Sequence, residues 1–392
     1  MILHFVTDEK VTDQIIQNFN TNSKKSLFLV FVNEKVNEYK HIKSTFNNIT
    51  SFILDDDINK IIETYNPKAI VVHSFQLEYA KAIIKINYPP QIAWYAWGFD
   101  VYGLPRIKPN IYAPLTASFL KKQSKLLSIN RLILRSTILR KIISKGLGIE
   151  DRYSIIYKAK KRVNYFVTYI EEEYEYYSKF YPNNFQFINC TFSTIDQYLG
   201  GNNLSLSKKQ SKNNILIGNS NTIESNHIDA FLLIDSKKKF SGIEIFTPLN
   251  YGSNEAYKKE VIKKGEQIFG GIFKPILDFI DRKEYVDLLS SCSVGIFYHY
   301  RQQAMGNIIP MLYLGARVYL SSRNPAFNFF KKHGIIIFDL DKDFEKYGNQ
   351  CLQTSYANNN KKILKSLFSK TKVLKDINNF IDNISEQNEA KI

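Results

Sequence analysis

The stretch Ser293-Val-Gly-Ile-Phe-Tyr-His-Tyr-Arg-Gln-Gln-Ala-Met-Gly-Asn-Ile-Ile-Pro310 decides the fold. A short apolar run breaks off into His299, Arg301, Gln302 and Gln303, and an apolar pattern resumes after Gly306 and Asn307. A buried parallel strand reads this way when its C-terminal end opens into a polar loop and then a helix. In open α/β sheets ligands bind in the crevice beyond the strand ends, and a helix N-terminus there favours anions. The stretch therefore points to a site for a phosphate-bearing ligand.

Outward from it, apolar runs at residues 215–217, 242–246, 316–320 and 335–338 alternate with helical patterns. The same alternation occurs earlier, with strands expected at residues 2–6, 26–32, 68–73, 92–97 and 163–168. Runs of this kind indicate βαβ units and parallel sheets. The polar segment between Gly200 and Asn214 is the best linker, and the pattern restarts after it. We therefore expect an α/β protein with two doubly wound domains facing across a cleft. The N-terminal domain would span residues 1–199 and the C-terminal one residues 212–358. A helical tail, 359–392, would pack back on the first.

Composition narrows the class. A chain of 392 residues, 44% of them hydrophobic, exceeds what one core usually supports. Its 3 cysteines, Cys190, Cys292 and Cys351, are scattered and odd in number, against a disulfide framework or a cysteine metal cluster. The N-terminal residues lack the pattern of a secretory signal, and no window is apolar enough to span a bilayer. The net charge of +16 is uneven: from Arg106 to Arg162, 15 Lys and Arg face only Glu150 and Asp151. This basic insertion, about residues 104–162, mixes long aliphatic and cationic side chains between Phe119 and Leu147 in a near-helical pattern. Such a mixture suits an anionic membrane surface; the plainer reading is a helical pair with a solvated basic face. Nucleic acid is disfavoured, because aromatic stacking platforms are not clustered with the charge.

Several strand-end loops carry candidate chemistry. Gly218-Asn219-Ser220 permits close approach of backbone N–H groups to a phosphate, although it is neither a Walker A nor a GxGxxG sequence. Asn250 and Tyr251 lie on a second loop, and His299, Arg301, Gln302, Gln303, Gly306 and Asn307 on a third. Three polar strand-end loops in one domain suggest a nucleotide-diphosphate site, with Arg301 as main phosphate contact because its planar fork matches anionic oxygens. His299 reads equally as ligand contact or scaffold. In the first domain Asp100 is a candidate general base, with capping or loop bracing as the plain alternative and His73 as its rival. The 6 histidines include no HExxH pair. Asp55-Asp56-Asp57 is explained by helix capping and Asp339-Leu340-Asp341 by an ordinary turn, so no metal site is expected.

Trp97-Gly-Phe-Asp-Val-Tyr102, Gly218-Asn-Ser220, Pro248-Leu-Asn-Tyr-Gly252 and Arg301-Gln-Gln-Ala-Met-Gly-Asn307 together resemble a bacterial glycosyltransferase family. It includes the TDP-4-acetamido-4,6-dideoxygalactose (Fuc4NAc) transferase of enterobacterial common antigen synthesis. The resemblance implies a GT-B fold and an inverting, metal-independent transfer at the cytoplasmic face of the bacterial inner membrane, with the protein attached peripherally. It implies a nucleotide-sugar donor, TDP- or UDP-linked, as substrate rather than cofactor, and a lipid-linked (polyprenyl-diphosphate) glycan as acceptor. Carried over, Gly218, Asn219, Ser220, Asn250, Tyr251, Arg301, Gln302, Gln303 and Asn307 line the donor side, while Asp100 with His73 faces the acceptor. The basic insertion is longer and more positive than the family pattern and would hold the protein against anionic lipid. The competing expectations are a GT-B enzyme acting on a protein or soluble glycan, and a non-catalytic nucleotide- or carbohydrate-binding module.

Overall fold

The computed structural model describes residues 1–9, 11–21, 25–36, 38–123, 133, 136–201, 213–235 and 242–386. Two compact units emerge. One comprises Met1–Arg106, Ile129–Ser193 and Lys370–Ile392, the other Ile107–Ser128 and Thr194–Ser369. Much of the expected linker, and part of the basic segment including Arg131 and Arg135, lies outside the described residues.

The first unit is built on strands β1 (Ile2–Val6), β2 (Ser26–Phe31), β3 (Ile49–Phe52), β4 (Ala69–His73), β5 (Gln91–Tyr95), β6 (Tyr165–Thr168) and β7 (Gln186–Asn189). Their order is β3-β2-β1-β4-β5-β6-β7, and every pairing is parallel. β4 reads Ala-Ile-Val-Val-His and is buried throughout. Both faces of a parallel sheet are covered, so its inner strands need no polar alternation. One cover is helix Lys370–Glu386, whose Val373, Ile377, Phe380, Ile381 and Ile384 join the core around β1, β4 and β5. Their spacing keeps them on one helical stripe.

The second unit holds β8 (Asn214–Ile217), β9 (Ile245–Pro248), β10 (Phe273–Ile276), β11 (Cys292–Phe297), β12 (Arg317–Leu320) and β13 (Phe338–Asp339). The order is β10-β9-β8-β11-β12-β13, again all parallel. The order reverses between β8 and β11, which makes the crevice beyond these two strands the switch point. Gly295 in β11 lets helix Met305–Leu314 lie close, since a Cβ there would stand 2.8 Å from Met311 Sδ.

The two parallel sheets match the expected pair of doubly wound α/β domains. The strands that hydropathy did not reveal are β3, β7 and β10, all at sheet edges. β3 and β7 are partly exposed and β10 contains Pro275, which is tolerated at an edge. Within the basic segment, helix Pro114–Gln123 belongs to the second unit. The Asp229 carboxylate accepts from the Leu115 and Thr116 N–H groups at 2.7 and 2.9 Å and from the Thr116 hydroxyl at 2.6 Å. Helix Thr137–Leu147 belongs to the first unit. Asp57 and Asp339 cap helices Ile58–Tyr65 and Leu340–Tyr347, accepting from the Asn59 and Asp341 N–H groups.

Candidate functional site

The loops after β8 and β11 bring the principal candidates of the second unit together. Gly218 leaves β8 at φ +74, and its N–H still bonds to the Ile296 carbonyl at 2.8 Å, so the two strands end in step. A Cβ on Gly218 would lie 2.3 Å from His227 Nε2. Only glycine satisfies both the left-handed backbone and this approach.

Asn219 Oδ1 is the centre of a small polar network. It lies 3.1 Å from His299 Nε2 and accepts from Gln303 Nε2 at 3.0 Å. Gln303 Nε2 also donates to Thr222 Oγ1 at 2.9 Å, and Thr222 Oγ1 is 3.1 Å from Ser220 Oγ. His299 is completely buried; burial first, then the neighbouring Arg301 and His227, holds its imidazole well below the usual range. It is therefore neutral at pH 7, with Nε2 as donor to Asn219. His227 is buried and pushed down to about 3, with neither ring nitrogen hydrogen-bonded among the described residues.

Arg301 and Gln302 are half-buried in the same loop. Ala304, in the left-handed region at φ 64, precedes helix Met305–Leu314, so Gly306 and Asn307 fall in its first turn. The Asn307 amide is already engaged, donating to Tyr285 OH at 2.8 Å. Space is open around the Gly306 Cα. Asn250 donates to the Asp278 carbonyl at 2.9 Å, and Tyr251 is 72% exposed. The Tyr251 carbonyl nonetheless accepts from the Asn221 N–H at 2.7 Å, which ties this loop to the one after β8.

Asp100 and His73 lie in the first unit. Asp100 Oδ2 accepts from Trp94 Nε1 at 2.6 Å and Oδ1 from the Trp97 N–H at 3.0 Å. Burial raises its carboxyl, opposed by the Trp94 bond and then by Lys160. His73 Nε2 is 3.1 Å from His4 Nδ1, and His4 Nε2 is 3.2 Å from Ser26 Oγ. Burial pushes His73 down to about 3. Its Nδ1 has no hydrogen-bond partner among the described residues, and its ring centre is 6.4 Å from that of Trp97.

Thr222, Trp94 and Lys160 were not singled out by sequence. The hydroxyl of Thr222 serves the loop network, whereas Lys160 sits in an ordinary-looking basic run and is buried only by tertiary packing. Among the described residues, no group of three or more His, Cys, Asp or Glu side chains is arranged to hold a metal ion.

Residues 151–365, more than half of the chain, match the family described as 4-alpha-L-fucosyltransferase glycosyl transferase group 56. Several solved structures share the fold at low identity. An Escherichia coli structure described as trehalose-6-phosphate bound with UDP-2-fluoro glucose has a TM-score of 0.62 and 10% identity, covering 98% of this chain and 99% of the other. The N-terminal domain of Candida albicans trehalose-6-phosphate phosphatase gives 0.65 and 11%, covering 100% and 97%. Anabaena HepE in complex with UDP-glucose gives 0.62 and 10%, covering 97% and 99%. These likenesses establish the two-lobed architecture, and the family match supplies the activity class. The chain belongs to the group 56 glycosyltransferases and is a GT-B-fold glycosyltransferase.

Proposed function

We propose that this enzyme moves a deoxy-amino sugar of the Fuc4NAc type from a TDP- or UDP-linked donor to a lipid-linked, polyprenyl-diphosphate glycan, with inversion and without a metal ion. The observation that carries the reading is the meeting of the β8 and β11 loops at the switch point of the second sheet. Asn219, His299 and Gln303 are interlocked there beside Arg301. Complexes of two proteins of the same fold with UDP-glucose and UDP-2-fluoro glucose support a nucleotide-sugar donor.

In this reading the diphosphate lies against Arg301 and the Met305 and Gly306 N–H groups that open helix Met305–Leu314; the Asn307 N–H already bonds to the Ala304 carbonyl at 2.8 Å. These groups balance the charge that develops on the leaving diphosphate. The acceptor hydroxyl oxygen bonds to the anomeric carbon as the bond from that carbon to the diphosphate oxygen breaks. The electron pair leaves with the nucleoside diphosphate, and Asp100 takes the hydroxyl proton. Burial raises the Asp100 carboxyl, which makes it a better base than an exposed carboxylate. His73, neutral but held at about 3, is the weaker candidate.

Attachment to an anionic membrane is supported by helix Thr137–Leu147. Ile138 and Ile142, one turn apart, are 72% and 62% exposed, and Lys141 and Lys145 flank them. No described helix is long and apolar enough to cross a membrane.

The test is a nucleotide-sugar turnover screen in EDTA, with and without a polyprenyl-diphosphate glycan. Release of nucleoside diphosphate only with the lipid-linked glycan is expected, with the product anomer inverted by NMR. No release from any donor, with or without EDTA, overturns the assignment. Equal turnover on a soluble glycan overturns the lipid-linked acceptor.

A further inference from the structure

The first unit contains a cavity of about 490 Å³ that none of the residues discussed as donor site or base lines. Its basic lining comprises Arg106, Arg140, Lys141, Lys158, Lys160 and Lys161; Arg140 is paired with Asp151 at 3.1 Å, and among the described residues no carboxylate lines the cavity itself. Tyr153, Tyr157, Tyr177 and Tyr181 supply aromatic walls. The cations stand against these rings: Arg106 is 5.5 Å from the Tyr181 centroid, Arg140 5.5 Å from Tyr153 and Lys161 5.4 Å from Tyr157.

Lys160 is the unusual member. It is only 5% exposed, and its ammonium has no hydrogen-bond partner among the described residues. Nζ rests 3.4 Å from the Trp94 ring centroid and 5.2 Å from that of Tyr177, a cavity residue. Burying an ammonium without hydrogen bonds is costly, and ring contacts offset only part of the cost. Burial lowers Lys160 to about 7, and the nearby Asp100 carboxylate acts in the opposite sense. A cavity of this size takes a small ligand rather than a polymer. Clustered cations select a group with several negative oxygens, and the tyrosines select a flat or apolar neighbour to it.

We propose that this cavity is a binding site for the phosphate or diphosphate group of an ester ligand, with Lys160 as a central cation. In assigning that ester to the sugar acceptor, and not to a free metabolite, the inference rests on the proposed transferase function. Exposed Ile138 and Ile142 lie on the helix that also supplies Arg140 and Lys141 to the cavity. A lipid diphosphate would therefore find its charge and its chain accommodated by neighbouring parts of one element.

The chain supplies its own reporter, since its 2 tryptophans, Trp94 and Trp97, both lie in the first unit. The full-length protein, saturated with UDP to occupy any nucleotide site, is titrated with inorganic pyrophosphate while tryptophan emission is followed. A saturable change is expected, and Lys160→Met should weaken it about tenfold or more, as loss of a charged hydrogen bond would. Lys161→Gln, at an exposed position, should weaken it in the same direction while leaving thermal unfolding unchanged. This second variant keeps the test valid if Lys160→Met misfolds. No saturable change in the wild type, or affinity unchanged from wild type in a folded Lys160→Met protein and in Lys161→Gln, overturns the site. Geranyl diphosphate binding more tightly than pyrophosphate identifies a lipid ester, and equal affinities a free one. Loss of sugar transfer with pyrophosphate binding intact would overturn the transferase reading alone; transfer without any pyrophosphate response would overturn the cavity alone.

Discussion

His299 Nε2 and Asn219 Oδ1 meet at 3.1 Å, joining the ends of the two strands that flank the switch point of the second sheet. The histidine is wholly buried and neutral, so its first task is to hold Asn219 in place. His299→Ala should cost about 2–4 kcal/mol of stability through a cavity and a lost hydrogen bond. Urea unfolding checks this; an unchanged midpoint would show that the contact is dispensable. Donor affinity should fall as well, because Asn219 loses one of its two fixed donors.

Arg301→Ala should leave folding intact and weaken nucleotide-sugar binding by about tenfold to a hundredfold, the scale of a lost charge-assisted contact. Calorimetry with the donor measures it, and an unchanged Kd would remove Arg301 from the site. Asp100→Asn should instead lower kcat by about a hundredfold or more with little change in donor Kd. Retained turnover would exclude Asp100 as the base.

Gly218→Ala forces a Cβ to within 2.3 Å of His227 Nε2 in a left-handed backbone. A loss of about 2–4 kcal/mol is expected from strain and overlap together. The steric share should be recovered in the Gly218→Ala, His227→Ala pair when compared with His227→Ala alone. A double-mutant cycle by thermal unfolding gives the coupling, and strict additivity would show that the two positions do not touch.

The buried histidines predict an acid-sensitive fold. His73 and His227 sit at about 3 when folded and near 6.5 when unfolded. Below pH 6.5 the unfolded chain takes up protons that the native state refuses, so stability falls progressively as pH drops from 6.5 to 3. His227→Leu should flatten this slope, and a slope identical to wild type would contradict the assignment. Lys160 acts at the other end. Its native value of about 7 against 10.5 unfolded means that stability rises from pH 7 to 10.5, a gain that Lys160→Met should lack.

Removal of residues 370–392 should unfold the first unit, because Val373, Ile377, Phe380, Ile381 and Ile384 form part of its core. The single change Phe380→Ala should cost about 3–5 kcal/mol. A truncated chain with native near-ultraviolet circular dichroism would refute this.

Inner strands were legible because burial on both faces leaves runs such as Ala69-Ile-Val-Val-His73 with no polar interruption. The edges β3, β7 and β10 were not, because an edge strand needs neither continuous hydrophobicity nor a full set of backbone donors. Among site residues, Asn219, His299 and Gln303 could be nominated as polar groups after strand ends, and the structure interlocks them. Asn250 and Asn307 carry the same signature, yet their side chains are engaged by the Asp278 carbonyl and Tyr285. Local sequence cannot distinguish an amide held by its own fold from one left for a ligand.

The sequence by itself determined two parallel α/β lobes and the loops in which donor chemistry would sit, because hydrophobic period and strand-end polarity are local properties of the chain. Tertiary structure alone decided which polar groups are spent on one another. It buried Lys160 against Trp94, although nothing in the run Lys158-Ala-Lys160-Lys161 marks one lysine as different. It also drew residues 370–386 into the first unit's core across an intervening domain. Both outcomes depend on which surfaces meet after the chain has folded, and residues remote in sequence supply those surfaces.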